Sequence, residues 1–250
     1  MTESTKNLGF KLVEDIKETD YAAMAKLWDD SFLEDANTNI KKLQETKKEG
    51  GEEKGPDDSL IREWVASDEC HMLKAVSTST GEILGWVGWG HRGYVYRKPQ
   101  PEMTSGGIIG DGVDEQTLSP VERLAKLQSS HFRAFMTDIM PEGTKCWYIM
   151  TLVVGPQFQR QGLGRAMIEW GRDRAEKDGV FAWVHSSDMA WQAYKACGFE
   201  IVRVLELHLD DYAAGDALGK GPELDGKWGT YTFRYMVYKP ERAIGLVKTI

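Results

Sequence analysis

The segment from Trp147 to Gly179 does most to restrict how this chain can fold. Trp147 to Val154 is an unbroken apolar run rich in β-branched residues, and Gly155-Pro156 ends it. Such a run suits a strand buried on both faces in the middle of a sheet. The period then changes. Leu163, Ala166, Met167 and Trp170 fall at helical spacing, Arg165, Glu169, Arg172 and Asp173 take the other face, and Gly179 offers a C-terminal cap. A central strand that turns at once into an amphipathic helix implies layered α/β packing, because the helix must lay its apolar face back on the sheet. The turn, Gln159-Arg160-Gln161-Gly162-Leu163-Gly164-Arg165, has the makings of an anion site. Glycines admit a phosphate to the backbone, and the unpaired first-turn amides and the helix dipole face it. Taken alone, the same letters equally describe a glycine-rich connection that merely lets helix and strand pack closely.

The other elements fall into order around this one. Phe10 to Ile16 reads as a strand, Tyr21 to Phe32 as a helix, and Ile40 to Ser59 as a charged Gly- and Pro-containing loop with some helix at its start. A helix from Ser59 is expected to turn Leu60, Ile61, Trp64 and Val65 inward. Met72 to Ser77 and Ile83 to Trp89 flank a turn and read as antiparallel strands. Ser119-Pro120-Val121-Glu122 combines an N-cap Ser, a Pro at the first helical position and a Glu that completes a capping box, so a helix starts there and stops before Pro141. Val180 to His185, Glu200 to Leu209 and Tyr231 to Tyr238 read as strands, with a short helix from Met189 to Cys197.

The chain has 250 residues, 31 basic against 39 acidic, and a net charge of −8. That balance argues against a surface built to neutralise nucleic-acid phosphates. The sequence contains neither an apolar run long enough to cross a membrane nor the pattern of a signal peptide, and an intracellular, cytoplasmic protein is expected. Three cysteines, Cys70, Cys146 and Cys197, stand at unrelated spacings and suggest buried thiols rather than a disulfide framework or a metal site.

Other phosphate motifs fail on their letters. A nucleotide P-loop needs Lys-Ser/Thr after the last glycine, where Arg165-Ala166 stand, and a dinucleotide fingerprint needs a third glycine where Met167 stands. Gly88-Trp89-Gly90-His91-Arg92-Gly93 matches that fingerprint literally, but the prolines at 99 and 101 rule out the helix it requires.

Gln159-Arg160-Gln161-Gly162-Leu163-Gly164 resembles the Q/R-x-x-G-x-G/A acetyl-CoA signature of the GCN5-related N-acetyltransferases (GNAT), with the right strand before it and the right helix after it. Ala193-Tyr194-Lys195-Ala196-Cys197-Gly198-Phe199-Glu200 is similar to the same family's helix-to-strand segment downstream. The resemblance implies an α/β (α+β) GNAT fold: a mixed, mostly antiparallel twisted sheet of about seven strands, flanked by helices and splayed at the cofactor site. One domain would span 1–250, with insertions at 93–144 and 210–229. It further implies that the backbone of Leu152, Val153 and Val154 binds the pantetheine arm of acetyl-CoA, and that amides from Gln159 through Arg160, Gln161, Gly162, Leu163 and Gly164 to Arg165 hold its pyrophosphate. Tyr194 would protonate the leaving thiolate. Many members carry a basic carboxylate on the central strand, but Cys146 to Thr151 offers none. His185 and Asp188 are the candidates for the base; a strand His is more often structural, and Asp188 is equally suited to cap the helix that carries Tyr194.

The expected reaction is acetyl transfer from acetyl-CoA to a small-molecule amine, by a monomer or homodimer without metal. O-acetylation, a longer acyl chain, or a non-catalytic acyl-CoA-binding regulatory domain are the alternatives. The insertions carry Tyr94, Tyr96 and Trp228 with Asp111, Asp114, Asp210, Asp211, Asp216 and Glu223, which would suit a cationic acceptor if these acids face the pocket. For any one of them a solvated loop position is the simpler reading. Trp64, Trp86 and Trp89 could stack on a ligand, although core packing is the simpler role.

Overall fold

A computed structural model describes residues 9–44, 57–96 and 117–241. The elements are β1 (Phe10–Val13), α1 (Tyr21–Ser31), α2 (Ala36–Gln44), α3 (Ser59–Ala66), β2 (Cys70–Ser77), β3 (Ile83–Arg92), α4 (Pro120–Ile139), β4 (Cys146–Val154), α5 (Leu163–Asp178), β5 (Ala182–Ser186), α6 (Trp191–Ala196), β6 (Glu200–His208) and β7 (Thr230–Tyr238). They build a seven-stranded sheet in the order β1-β2-β3-β4-β5-β7-β6. Only the β4–β5 pair is parallel; the others are antiparallel. The apolar run therefore occupies the middle of the sheet, as its composition requires.

Helices cover both faces. On one, α5 and α6 press Leu163, Met167, Ile168, Tyr194 and Cys197 against Leu73, Val87, Trp89, Ile149, Val184 and Met236. Gly171 is what lets α5 lie so close: a Cβ there would stand 2.1 Å from the Trp89 ring, whose Nε1 donates to Met167 O at 3.1 Å. On the other face, Met24, Leu27 and Ile61 of α1 and α3 pack on Trp86 and Val153, while Ile40 of α2 and Leu124, Phe135 and Ile139 of α4 pack over Tyr148, Trp183 and Tyr235. Ser119 caps α4 as its letters predict, accepting from Glu122 N while the Glu122 carboxylate accepts from Ser119 N.

The structure corrects some of these expectations and bears out others. Leu60 points outward and is 45% exposed, whereas Ile61 is fully buried. Helix α2 begins at Ala36, before the charged stretch, because Asp35 caps it by accepting from Thr38 N at 2.7 Å; residues 45–56 of that stretch lie outside the described residues. Gly88 and Gly90 sit inside β3, not in a phosphate turn. Trp86 and Trp89 are fully buried and bonded through their indole N–H groups, so they belong to the core. Tyr94 lies against Asp178 and Trp147, beside the start of β4 and away from the phosphate turn. Trp228 is buried and donates to Ala217 O. Asp210 accepts from the amides of Trp228 and Gly229 and holds its own loop together. Asp111 and Asp114 lie outside the described residues.

Candidate active site

The sheet opens where β4 and β5 part. Their pairing ends at Ile149↔Val184, while β4 continues along β3 to Val154↔Gly85. Between them, Thr151 pairs with Gly88 and Ile149 with Trp89, so Met150 is an extra residue on β4. An extra residue bends its strand and sharpens the twist, which turns the end of β4 away from β5. It also resets the alternation: Leu152 and Val154 face α5, and Val153 is fully buried against the α1 side. The stretch Met150–Val154 thus presents an edge with no neighbouring strand among the described residues. Unpaired edge amides and carbonyls are a ready template for an extended ligand.

The anion site lies at the end of that edge. Pro156–Phe158 forms one tight turn, Phe158 N bonding to Gly155 O at 2.8 Å. Arg160 and Gly162 both take left-handed backbone, with φ of 61° and 88°. For Arg160 that conformation costs on the order of 1–2 kcal/mol, strain of a kind that collects at functional turns. The helical ladder starts with Ala166 N to Gly162 O, so the amides of Leu163, Gly164 and Arg165 have no acceptor within the helix. Gly164 lies over Leu152 and Val154, a Cβ there coming within 3.9 Å of both side chains. Gln159, Arg160, Gln161, Gly162 and Arg165 are exposed and Leu163 is buried in the core. Arg165 also pairs with Glu169 at 2.8 Å.

The three candidate catalytic residues separate by face. Tyr194, on α6, is 3% exposed and packs edge-on to Phe199 in the cluster that holds Val184 and Leu163. Burial pushes its phenol well above the usual range, so it keeps its proton. His185 follows Val184 on β5 and points to the opposite face, where Phe132, Phe233 and Tyr235 surround its ring at 5.1, 4.4 and 4.6 Å. Its Nε2 is buried with no hydrogen-bond partner among the described residues. Burial, and then the charges of His131 and Lys41, lower its pKa to about 3, which keeps the ring neutral. Asp188 does not cap α6, whose N-cap is Ala190 without a side-chain bond; its carboxylate accepts from Arg234 Nη1 at 2.5 Å.

Some of the surroundings carried no sequence signal. The Met150 bulge shows only in the register. Asp35 and Tyr231 stand far apart in the chain, yet Tyr231 donates to Asp35 at 2.7 Å and ties α2 to β7. Lys41 and Gln128 meet across α2 and α4.

Comparison with known proteins bears on this geometry. The family described as Acetyltransferase (GNAT) family matches residues 37–199. Among solved structures, arylalkylamine N-acetyltransferase 2 from Aedes aegypti is similar at 14% identity and a TM-score of 0.56, over 92% of this chain and 98% of that one. NAA60 from Arabidopsis thaliana, in complex with a bisubstrate analogue, gives 14% identity and 0.49 over 93% and 98%. The ribosomal-protein-S18-alanine N-acetyltransferase from Escherichia coli gives 14% and 0.44 over 96% and 99%. The comparison with curated proteins found no match.

Proposed function

The chain belongs to the GNAT acetyltransferase family and is an acyltransferase, and we propose that it moves an acetyl group from acetyl-CoA to the amine of a small molecule. We read residues 1–250 as one catalytic domain. The observation that carries the proposal is the parting of β4 and β5 after Ile149 and Val184, directly in line with the uncapped first turn of α5. The free edge of Leu152, Val153 and Val154 suits the amide-bearing pantetheine arm, and the amides between Gln159 and Arg165 suit the pyrophosphate. When bound, acetyl-CoA supplies the thioester to be attacked.

The residues divide the remaining work by the two faces of the sheet. An amide near Val153 or Val154 polarises the thioester carbonyl. His185, neutral and on the α2/α4 face, is the candidate to take the proton from the attacking amine once the acceptor displaces the rings that cover its Nε2. Asp188 is engaged by Arg234, which leaves His185 the better placed base. Tyr194, on the α5/α6 face, holds the proton that the departing thiolate needs. The split is where groups on opposite faces of the sheet would reach a single reacting centre.

Free thiol released from acetyl-CoA over a panel of amines tests this reading. Thiol release that depends on the amine, with the acetylated amine detected by mass, is expected. Release with alcohols but no amines, or a CoA-induced rise in Tm with no transfer to any acceptor, would overturn it.

A further inference from the structure

The acceptor face of the split carries a cation, Lys41, that makes no ion pair among the described residues. Along α4, three side chains at helical spacing face the sheet in turn. Phe135 lies on Trp183 and Tyr235, Phe132 one turn earlier lies on His185, and Gln128 one turn earlier again accepts a hydrogen bond from Lys41 Nζ. β7 runs antiparallel to β5, and Arg234 pairs with Ser186 at the end of β5. The series from Phe135 to Gln128 therefore runs outward, from the sheet toward the open end where β5 has left β4. Gln128 lies roughly 5–6 Å along α4 from the Phe132 that covers His185, and Lys41 reaches it from α2.

Lys41 is half-buried and makes no ion pair among the described residues. Its hydrogen-bond acceptor, Gln128, is a neutral amide that is itself committed through Nε2 to Asn37 Oδ1 at 2.5 Å. Asp35 is the nearby carboxylate, and both its oxygens are taken, one by Thr38 N and the other by the Tyr231 hydroxyl. Arg203, on this face, is matched by Asp138 at 2.7 Å, whereas Arg234 lies over Trp191 on the α5/α6 side and pairs there with Asp188. A desolvated ammonium with donors to spare is costly unless something anionic meets it. Loss of water lowers the pKa of Lys41 more than the Asp35 charge restores it, the expected mark of a cation lacking a close counter-ion.

We propose that Lys41 determines acceptor specificity by holding an anionic group, a carboxylate in the first instance, on the same molecule whose amine meets His185. The acceptor is then an amino acid or a similar amine with an acid a few bonds away, rather than the polycation suggested by the net charge. This rests on the acetyltransferase reading above.

The test pairs each amino acid with its carboxamide and its decarboxylated amine, measuring kcat/KM by thiol release. The wild-type protein is expected to favour the acid by about tenfold or more, the scale of one charged hydrogen bond. In Lys41→Met the acid's KM should rise about tenfold more than that of the carboxamide, and Lys41→Arg should restore most of the preference. A wild-type preference for the decarboxylated amines or polyamines, or equal losses for acid and carboxamide in Lys41→Met, overturns the proposal while the transfer reaction stands. No transfer to any amine overturns both.

Discussion

Tyr194 and His185 are each buried against aromatic neighbours, so each has a packing role that must be separated from its chemistry. For Tyr194 the separation is direct. Tyr194→Phe keeps the ring contact with Phe199 and removes only the hydroxyl, the proton donor. We expect kcat to fall by on the order of 10²-fold, the lower end for a lost general acid, with the acetyl-CoA KM within about twofold. A kcat equal to that of the wild type would take Tyr194 out of the mechanism. His185 allows a sharper contrast, because its Nε2 is buried without a partner. Phe fits the slot formed by Phe132, Phe233 and Tyr235 and removes an unsatisfied polar atom. His185→Phe should therefore hold or raise Tm while lowering kcat by on the order of 10²-fold. Thermal melts and initial rates on the same preparation decide it: a fall in both would make His185 a packing residue.

At the scale of elements, α5 depends on two glycines for unrelated reasons, and the difference is measurable. Gly162 has φ of 88° and open space where a Cβ would go, so Gly162→Ala pays only for backbone conformation, about 1–2 kcal/mol. Gly171 has ordinary helical backbone but no space, since a Cβ would fall 2.1 Å from the Trp89 ring. Gly171→Ala should cost about 1–3 kcal/mol through overpacking. Urea unfolding should show both as less stable. Only Gly162→Ala should also weaken the Tm rise produced by CoA, because it reshapes the turn that presents the amides; a matching loss in Gly171→Ala would mean that the turn is not the binding element. The two positions also mark what the sequence discloses. Leu163, Met167 and Gly179 announce α5 by period and cap, and Gly162 and Gly164 announce the turn. The close approach at Gly171 depends on Trp89, on a strand far away in the chain, and no local pattern contains it. The same limit applies at the site. The phosphate turn and Tyr194 are local and legible, whereas the Met150 bulge is a matter of register and the Lys41–Gln128 contact a matter of tertiary packing.

Over the whole molecule, the net charge of −8 does not by itself place an acidic pocket, because several carboxylates have internal work while Asp211, Asp216 and Glu223 are exposed. Asp210 holds loop amides, Asp188 holds Arg234 and Asp35 holds both Thr38 N and Tyr231. What the charge inventory does fix is the response to acid. Burial lowers the pKa of His185 to about 3 and that of His91 to about 4, from the ordinary 6.5. Below pH 6.5 the unfolded chain takes up protons that the native imidazoles refuse, so stability falls with pH until the folded pKa values are reached. Each such histidine contributes up to about 1.4 kcal/mol per pH unit in that window. Carboxylates held below their usual range, such as Asp20 and Asp178, act in the same direction but only from about pH 4 downward. The slope between pH 6 and 5 therefore belongs to the histidines. His91 isolates it, because its ring lies beside His71 and Trp147 at the start of β4, away from the parted strands. Phe can occupy the same place. Urea unfolding of His91→Phe at pH 6 and pH 5 should lose on the order of 1 kcal/mol per pH unit of the wild-type slope, with the pH dependence of acetyl transfer unchanged. An unaltered stability slope would mean that His91 is protonated in the native protein, and a changed rate profile would couple this end of the sheet to the site at the other.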